Sequence, residues 1–294
     1  MWDNLILKGL DVAWVDLARL GDDHLLELRV GHCGRSILTP TQNDGSIDLQ
    51  HVRTIWWRRP VPPNPEGGDR FRTNFLADEW LTFCESLEWC TTARWVNKPS
   101  KERVAGSKAY QLREAEGVGL RVPRTLITNR PDAVLAFASN EQALIYKRIG
   151  VSRNAPPVPT RLFGDDDRAR LPTLRDCPAM FQEYIPARID VRVTFIGGTS
   201  FATEIHSGQG RFPTDARLDL AVPTMRHNLD GLVAAQLQDF MANLELDFGA
   251  IDLRMTQEGE YVFLEVNPSG QYLFAELLTG EPLTAHLGQF LVGQ

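Results

Sequence analysis

Cysteine is scarce and unpatterned in this chain: Cys33, Cys84, Cys90 and Cys177 show no CxxC spacing, which excludes a disulfide-built scaffold and leaves reduced, cytoplasmic thiols as the reading. Long apolar runs are missing too. No stretch reaches the ~18 apolar residues that mark a membrane-spanning helix, and no charged segment leads into an apolar one at the start, so neither a membrane span nor a secretory signal is read. Net positive charge is absent. The balance of 31 Lys and Arg against 38 Asp and Glu gives −7, which removes any general attraction to nucleic acid or anionic lipid and leaves phosphate binding to locally placed cations. Internal repeats and low-complexity tracts are also lacking. What is there is a chain of 294 residues, 43% hydrophobic and 23% charged, enough for a substantial core divided over two or three small lobes.

Helix and strand signals alternate along it, which makes the expected class α/β (α+β). Residues 4–20 carry a helical stripe (Leu5, Leu10, Val12, Leu17), strand-like runs follow at 25–30 and 52–57, and the Pro/Gly-rich segment from Arg58 to Asp69 reads as a loop. From Asn74 to Cys90 the apolar positions Leu76, Trp80, Phe83, Cys84 and Leu87 fall on one helical face. "WVNKPS" ends that helix and puts a boundary near residue 100. A helix over Ser107–Glu116 stops at Gly117, before the strand "RVPRTLIT". A short helix is expected over 132–140, a strand in "ALIYKRI" and another in "MFQEYIP". "DVRVTFIGGTSFATEIHS" reads as a hairpin turning at Gly197-Gly198, and a helix is expected over 229–244.

The segments "GAIDLRM" and "YVFLEVN" flank "TQEGE". A two-residue turn at Glu258-Gly259 would pair Ile251 with Val266, Leu253 with Leu264 and Met255 with Val262, three apolar pairs on one face. On the other face Asp252 then stands opposite Glu265, with Asn267 two residues along the same side. Two carboxylates whose Cβ atoms lie roughly 5 Å apart repel unless a proton or a cation sits between them. Oxygen ligands of this kind suit magnesium, which takes one or two carboxylates and completes its shell with phosphate and water. The alternative is a solvated Asp-Glu pair beside an ordinary Asn-Pro-Ser-Gly turn.

The stretch "GAIDLR…YVFLEVNPSGQYLFAELLTG" resembles the C-terminal motif of the ATP-grasp superfamily, and "SKAYQLREAEGVGLRVPRTLITN", "ALIYKRI" and "FQEYIPARIDVRVTFIGG" resemble its earlier segments in order. "WWRRP" at 56–60, the Asp-x-Arg of "TDAR" at 214–217 and the NP-x-GQ ending are most similar to the graspetide synthetases, which crosslink ribosomal peptides through side-chain esters and amides. The likeness spans residues 52–290. It implies an ATP-grasp fold in which ATP is held between two antiparallel-sheet lobes: an N-terminal pre-ATP-grasp lobe over 1–100, a central lobe over 101–180 and a C-terminal lobe with the metal site over 181–294.

The same resemblance implies roles. Lys108 and Lys147 would contact ATP phosphates, and the hinge Gln182, Glu183, Tyr184 and Ile185 would bind adenine through its backbone, Glu183 itself being open to a purely structural role. Asp190 would touch ribose or orient Arg192, and Arg192 would stabilise charge on the transferring phosphoryl group. Arg217 would hold the γ-phosphate or the substrate carboxylate. Asp252, Glu265 and Asn267 would bind magnesium, two ions in the family pattern. His206 reads as structural or substrate-lining. The implied reaction activates a carboxylate of a leader-bearing precursor peptide as an acylphosphate and displaces phosphate with a hydroxyl or amine. Family members are commonly homodimers. A RimK-type ligase adding an amino acid to a small molecule or protein terminus, and a nucleotide-binding module without ligase activity, are the two alternatives. Two departures stand out. The segment after Lys147, "RIGVSRNAPPVPTR", has a single glycine where many relatives carry a Gly-rich lid. The chain also opens almost directly on its helical stripe, which reads as a shortened N-lobe or a start site placed downstream.

Overall fold

The computed structural model describes residues 10–19, 24–29, 36–40, 47–62, 69–141, 143–150, 160–209 and 222–293. Two compact units divide the chain, residues 1–102 with 284–294 and residues 103–283.

In the first unit, strands β1 (His24–Leu28), β2 (Ser36–Pro40) and β3 (Ile47–Asp48) form an antiparallel sheet in that order. Strand β4 (Thr54–Trp56) pairs in parallel with β5 (Arg94–Val96), and helix α1 (Arg70–Cys90) connects them. Helix α1 begins four residues before the expected Asn74, because Asp69 caps it by accepting the Arg72 N–H at 2.7 Å. Leu49, Leu87 and Trp95 form the core, with Val15, Ile55 and Trp57 packed against them. The helical stripe expected over 4–20 is not a helix in its described part. Residues 10–16 are irregular and only one 3-10 turn, Leu17–Arg19, follows. Asp16 explains the break: its side chain accepts the Ala18 N–H at 3.0 Å and its carbonyl the Arg19 N–H, so the chain turns there. Residues 4–9 lie outside the described residues.

Helix α2 (Pro99–Ala105) leads from the first unit into the second, where α3 (Lys108–Gly117) follows. Next come β6 (Thr125–Thr128), α4 (Pro131–Ala138), β7 (Leu144–Lys147), β8 (Arg161–Leu162), α5 (Asp165–Arg170) and β9 (Ala179–Glu183). Their strands make an antiparallel sheet of order β6-β9-β7-β8, and Val134, Leu171, Leu174 and Phe181 form the core on one face. Strands β10 (Ile189–Ile196), β11 (Thr199–Ile205) and β12 (Thr224–His227), helix α6 (Gly231–Asn243), then β13 (Phe248–Met255) and β14 (Tyr261–Asn267) complete a five-stranded antiparallel sheet of order β12-β11-β10-β13-β14. The turn at Gly197-Gly198 is where the dipeptide placed it, both residues at positive φ (55° and 89°). Helix α6 lays Leu237, Phe240 and Met241 on Val191, Val193, Ile251, Leu253, Phe263 and Val266. Helices α7 (Leu273–Thr279) and α8 (Leu283–Val292) end the chain. Among the described residues, no helix is long and apolar enough to cross a membrane.

The β13–β14 hairpin corrects the expected register. Thr256 N–H donates to Glu260 O at 2.9 Å, and Gly259 sits at φ 85°, so the loop holds three residues, Gln257 to Gly259, rather than two. Leu253 therefore faces Phe263 and Met255 faces Tyr261. A bulge between Asp252 and Leu253 takes up the odd residue, and beyond it Asp252 faces Glu265 and Ile251 faces Val266 as expected. Phe263, not Val262 or Leu264, joins the α6 core.

Candidate active site

Alternation along the sheet puts Asp190 and Arg192 of β10, Asp252 and Arg254 of β13, and Glu265 of β14 on the face opposite α6. Cross-strand pairing is charge against charge. Arg192 stands opposite Asp252 and donates from Nη1 to its Oδ1. Lys108, the first residue of α3, reaches across and donates to Glu265 Oε2 at 2.7 Å. The two facing carboxylates thus each have their own cation, which answers the repulsion their spacing predicts. Their side chains keep 28% and 23% exposure, enough for a ligand to reach them. Asn267 faces Ala250 on the same strand side as Glu265, and its Oδ1 accepts the Ser269 N–H at 3.1 Å, heading the Asn-Pro-Ser-Gly turn. Among the described residues, no group of three or more His, Cys, Asp or Glu forms a metal cluster. Around the facing pair the oxygen donors are the Asp252 and Glu265 carboxylates and the Asn267 amide, while the third carboxylate of this face, Asp190, is bonded to Arg254.

Asp190 bonds Arg254 rather than Arg192. It faces Arg254, whose Nε donates to Asp190 Oδ1 at 2.9 Å and whose Nη1 donates to the Ile185 carbonyl at 2.8 Å. The Arg254 guanidinium also stacks 5.5 Å from the Tyr184 ring centroid. A buried arginine thereby ties β13 to the segment after β9. Four buried polar atoms of these two sheets have no hydrogen-bond partner among the described residues: Asp190 Oδ2, Arg192 Nε, Thr194 Oγ1 and Gln182 Oε1. Orphaned groups of this kind are costly in a finished core and common where a ligand completes the bonding.

The hinge is anchored at both ends. Glu183 N–H donates to Arg124 O and Tyr184 N–H to Ala143 O, each at 2.9 Å. The Glu183 carboxylate accepts the Arg124 N–H at 3.2 Å and lies 3.6 Å from Arg121 Nη2, a structural use of that side chain. Gln182 Nε2 donates to Thr125 Oγ1 at 2.8 Å. Lys147 ends β7 opposite Met180, and the pairing puts it, with Gln182, on the sheet face away from Phe181 and its core. Arg217 and most of the loop after Lys147 lie outside the described residues. His206 lies 3.0 Å from Glu204 Oε1, while His227 lies 2.9 Å from Glu204 Oε2 and 2.6 Å from the Tyr261 hydroxyl. Burial pushes the Glu204 carboxyl up, but the hydrogen bonds with His227 and His206 outweigh it and hold the group below its ordinary range.

Two residues were missed from sequence. Arg254 lies two residues from Asp252 in "IDLRM", so alternation alone puts it on the site face. Gln111 is a polar residue on the buried face of α3, beside Leu112 and Ala115.

No family model and no curated protein matches the chain. Solved structures do. The macrocyclase MdnB from Microcystis aeruginosa MRC is 31% identical, with 99% of this chain and 94% of that one covered and a TM-score of 0.81. The macrocyclase MdnC of the same strain, bound with precursor peptide MdnA, is 26% identical with coverages of 99% and 94% and a TM-score of 0.89. A Chryseobacterium gregarium RiPP-associated ATP-grasp ligase, in complex with ADP and a leader and core peptide, is 23% identical with coverages of 99% and 91% and a TM-score of 0.88, a likeness of fold.

Proposed function

The chain belongs to the ATP-grasp macrocyclases of ribosomally made peptides, the graspetide synthetases, and from that premise we propose that it closes side-chain ester or amide bonds within a leader-bearing precursor peptide in the cytoplasm, consuming ATP with magnesium. The observation that carries the reading is the facing pair Asp252 and Glu265, each already held by a cation, on the same sheet face as Arg192.

The donor set fits a hard divalent cation: two carboxylates and an amide oxygen, with further ligands left to phosphate and water. Asp252, Glu265 and Asn267 would hold it, and its chemistry is to neutralise phosphate charge during transfer. Lys108, now on Glu265, would exchange that partner for a phosphate oxygen, and Lys147 would supply a second ammonium. Arg192 would stabilise charge on the phosphoryl group as it leaves ATP for the substrate carboxylate; its unpartnered, buried Nε leaves a donor for that oxygen. Asp190 and Arg254 would fix the hinge, whose backbone around Glu183, Tyr184 and Ile185 would hydrogen-bond adenine, with Gln182 next to it in the chain. Arg217 is kept as the candidate for the γ-phosphate or the substrate carboxylate. A hydroxyl or amine of the same peptide then attacks the activated carbonyl and displaces inorganic phosphate, forming the ester or amide bond, so each crosslink removes one water from the peptide. Residues 101–180 and 181–294 are proposed as the two lobes that enclose ATP. The test is mass spectrometry on a leader-bearing peptide encoded beside this gene, incubated with the protein, ATP and magnesium. Loss of one water per crosslink supports the reading, and gain of an amino-acid mass or an unchanged peptide overturns it.

A further inference from the structure

Strand β14 is an edge of its sheet, so alternate backbone groups along it face away from β13. Val266 is one such residue. It sits between Glu265 and Asn267, it is 3% exposed, and among the described residues no strand pairs with its N–H and C=O on that side. The Gln111 side chain replaces the missing strand. Its Oε1 accepts the Val266 N–H at 2.9 Å, and its Nε2 donates to the Val266 carbonyl at 2.9 Å and to the Ala105 carbonyl. Every hydrogen-bonding position that the buried amide needs here is used, at a residue 3% exposed. One turn earlier on α3, Lys108 grips Glu265 itself.

A second latch lies on the other side of the bulge. Phe263 N–H donates to the Arg121 carbonyl at 2.8 Å, and Arg121 bridges Val262. The bulge that brings Glu265 opposite Asp252 is therefore confined between Arg121 and Gln111. Register in a strand with one odd residue is decided by what pins its two ends. Without the Gln111 amide, two buried backbone groups at Val266 lose their partners, and a slip by one residue would turn Glu265 away from Asp252.

We infer that Gln111 is a positioning residue for the magnesium site: it holds Glu265 and Asn267 in ligating register by completing the edge of β14 with its side-chain amide. The inference rests on the proposed magnesium role of Asp252, Glu265 and Asn267. Removing a group that orients a metal ligand typically weakens metal binding about 10- to 100-fold, and that range is expected for Gln111→Leu.

The test uses the full chain with Mn2+ and ADP as probes. Electron paramagnetic resonance gives the Mn2+ half-saturation with ADP present, and hydrogen-deuterium exchange reads the peptide covering residues 262–267. Gln111→Leu is expected to raise the half-saturation at least about tenfold, to speed exchange at Val266 and to leave metal-free ADP affinity unchanged. If that variant unfolds, Gln111→Met, which keeps an unbranched side chain of high helix propensity, is read in the same way. A folded variant with unchanged Mn2+ half-saturation overturns the inference, since a merely structural glutamine would shift only exchange and melting. Wild-type protein that takes up no Mn2+ with ADP would overturn the magnesium reading beneath it, an outcome that the wild-type control shows separately.

Discussion

Gly270 has no room for a methyl group. A Cβ built there would lie 2.2 Å from the Ala250 Cβ, 3.0 Å from the Asn267 carbonyl oxygen and 3.3 Å from the Ala250 Cα. Carbon atoms in contact prefer about 3.5–4.0 Å, so the turn or strand β13 must give by more than 1 Å, roughly, and the nearest obstacles are not flexible side-chain ends. Overpacking of this kind costs about 1–3 kcal/mol, and for a body of this size each kcal/mol lowers Tm by about 2–4 °C. The turn cannot lift without consequence for the site, because the next carbonyl, Gln271 O, accepts the Arg192 Nη2 at 3.3 Å. Gly270→Ala is therefore expected to lower Tm by several degrees and to slow turnover as well. Ala250→Gly removes the atom in the way. The double variant Gly270→Ala with Ala250→Gly should be more stable than the sum of the single effects, with a coupling of about 0.5–3 kcal/mol. Calorimetry on the four proteins, with peptide turnover beside it, reads both effects. Gly270→Ala with the wild-type Tm, or additive single effects, would refute the close-approach reasoning.

Three further outcomes are expected. The folded Glu204 carboxyl is held low by His227 and His206 against burial, so its contribution to stability is present above the ordinary glutamate pKa of 4.5 and is lost as pH falls through the depressed folded value; Tm against pH should show Glu204→Gln below wild type near neutrality, with the gap closing under acid, and a gap independent of pH contradicts this. The Cys84 thiol is pushed up to about 12 by burial and by the nearby Glu85, so maleimide should modify exposed Cys177 in native protein and spare Cys84 until denaturant is added; equal labelling rates would show the burial to be wrong. Lys108→Met removes the ammonium that donates to Glu265 where it faces Asp252, so the variant should melt below wild type in chelator and recover part of the difference on adding magnesium, and a chelator-insensitive Tm difference speaks against a shared cation site.

Much of this site was legible because the carboxylates sit on a period-2 pattern. Asp252 and Glu265 were paired correctly even though the turn was read one residue too short, since the bulge at Leu264 adds back the residue that the longer loop takes. That compensation has no local signature: Leu264 and Phe263 are both apolar, and only packing against α6 decides which one turns inward. The stripe over residues 4–20 misled for a related reason. Apolar spacing there is helical, yet Val12 and Val15 are β-branched and the Asp16 side chain competes for the backbone N–H groups that a helix would need. The Asp190 partner was set by pairing rather than by nearness in sequence. Strand β10 runs antiparallel to β13, so the residue two away, Arg192, goes to Asp252 and the residue across, Arg254, goes to Asp190. Gln111 was legible in principle, since a glutamine on the buried side of an amphipathic helix must bond something, but what it bonds is a strand more than 150 residues later.

The central claim is that the facing carboxylates serve ATP-dependent crosslinking of a peptide, and Glu265→Gln tests it most directly. The leader-bearing peptide is incubated with ATP, magnesium and either wild-type or variant protein, and peptide mass and released phosphate are followed together. Wild type is expected to remove one water and release one phosphate per crosslink, while the folded Glu265→Gln protein does neither. A Glu265→Gln variant that crosslinks at the wild-type rate, or a wild type that releases phosphate and adds mass to the peptide, would contradict the account.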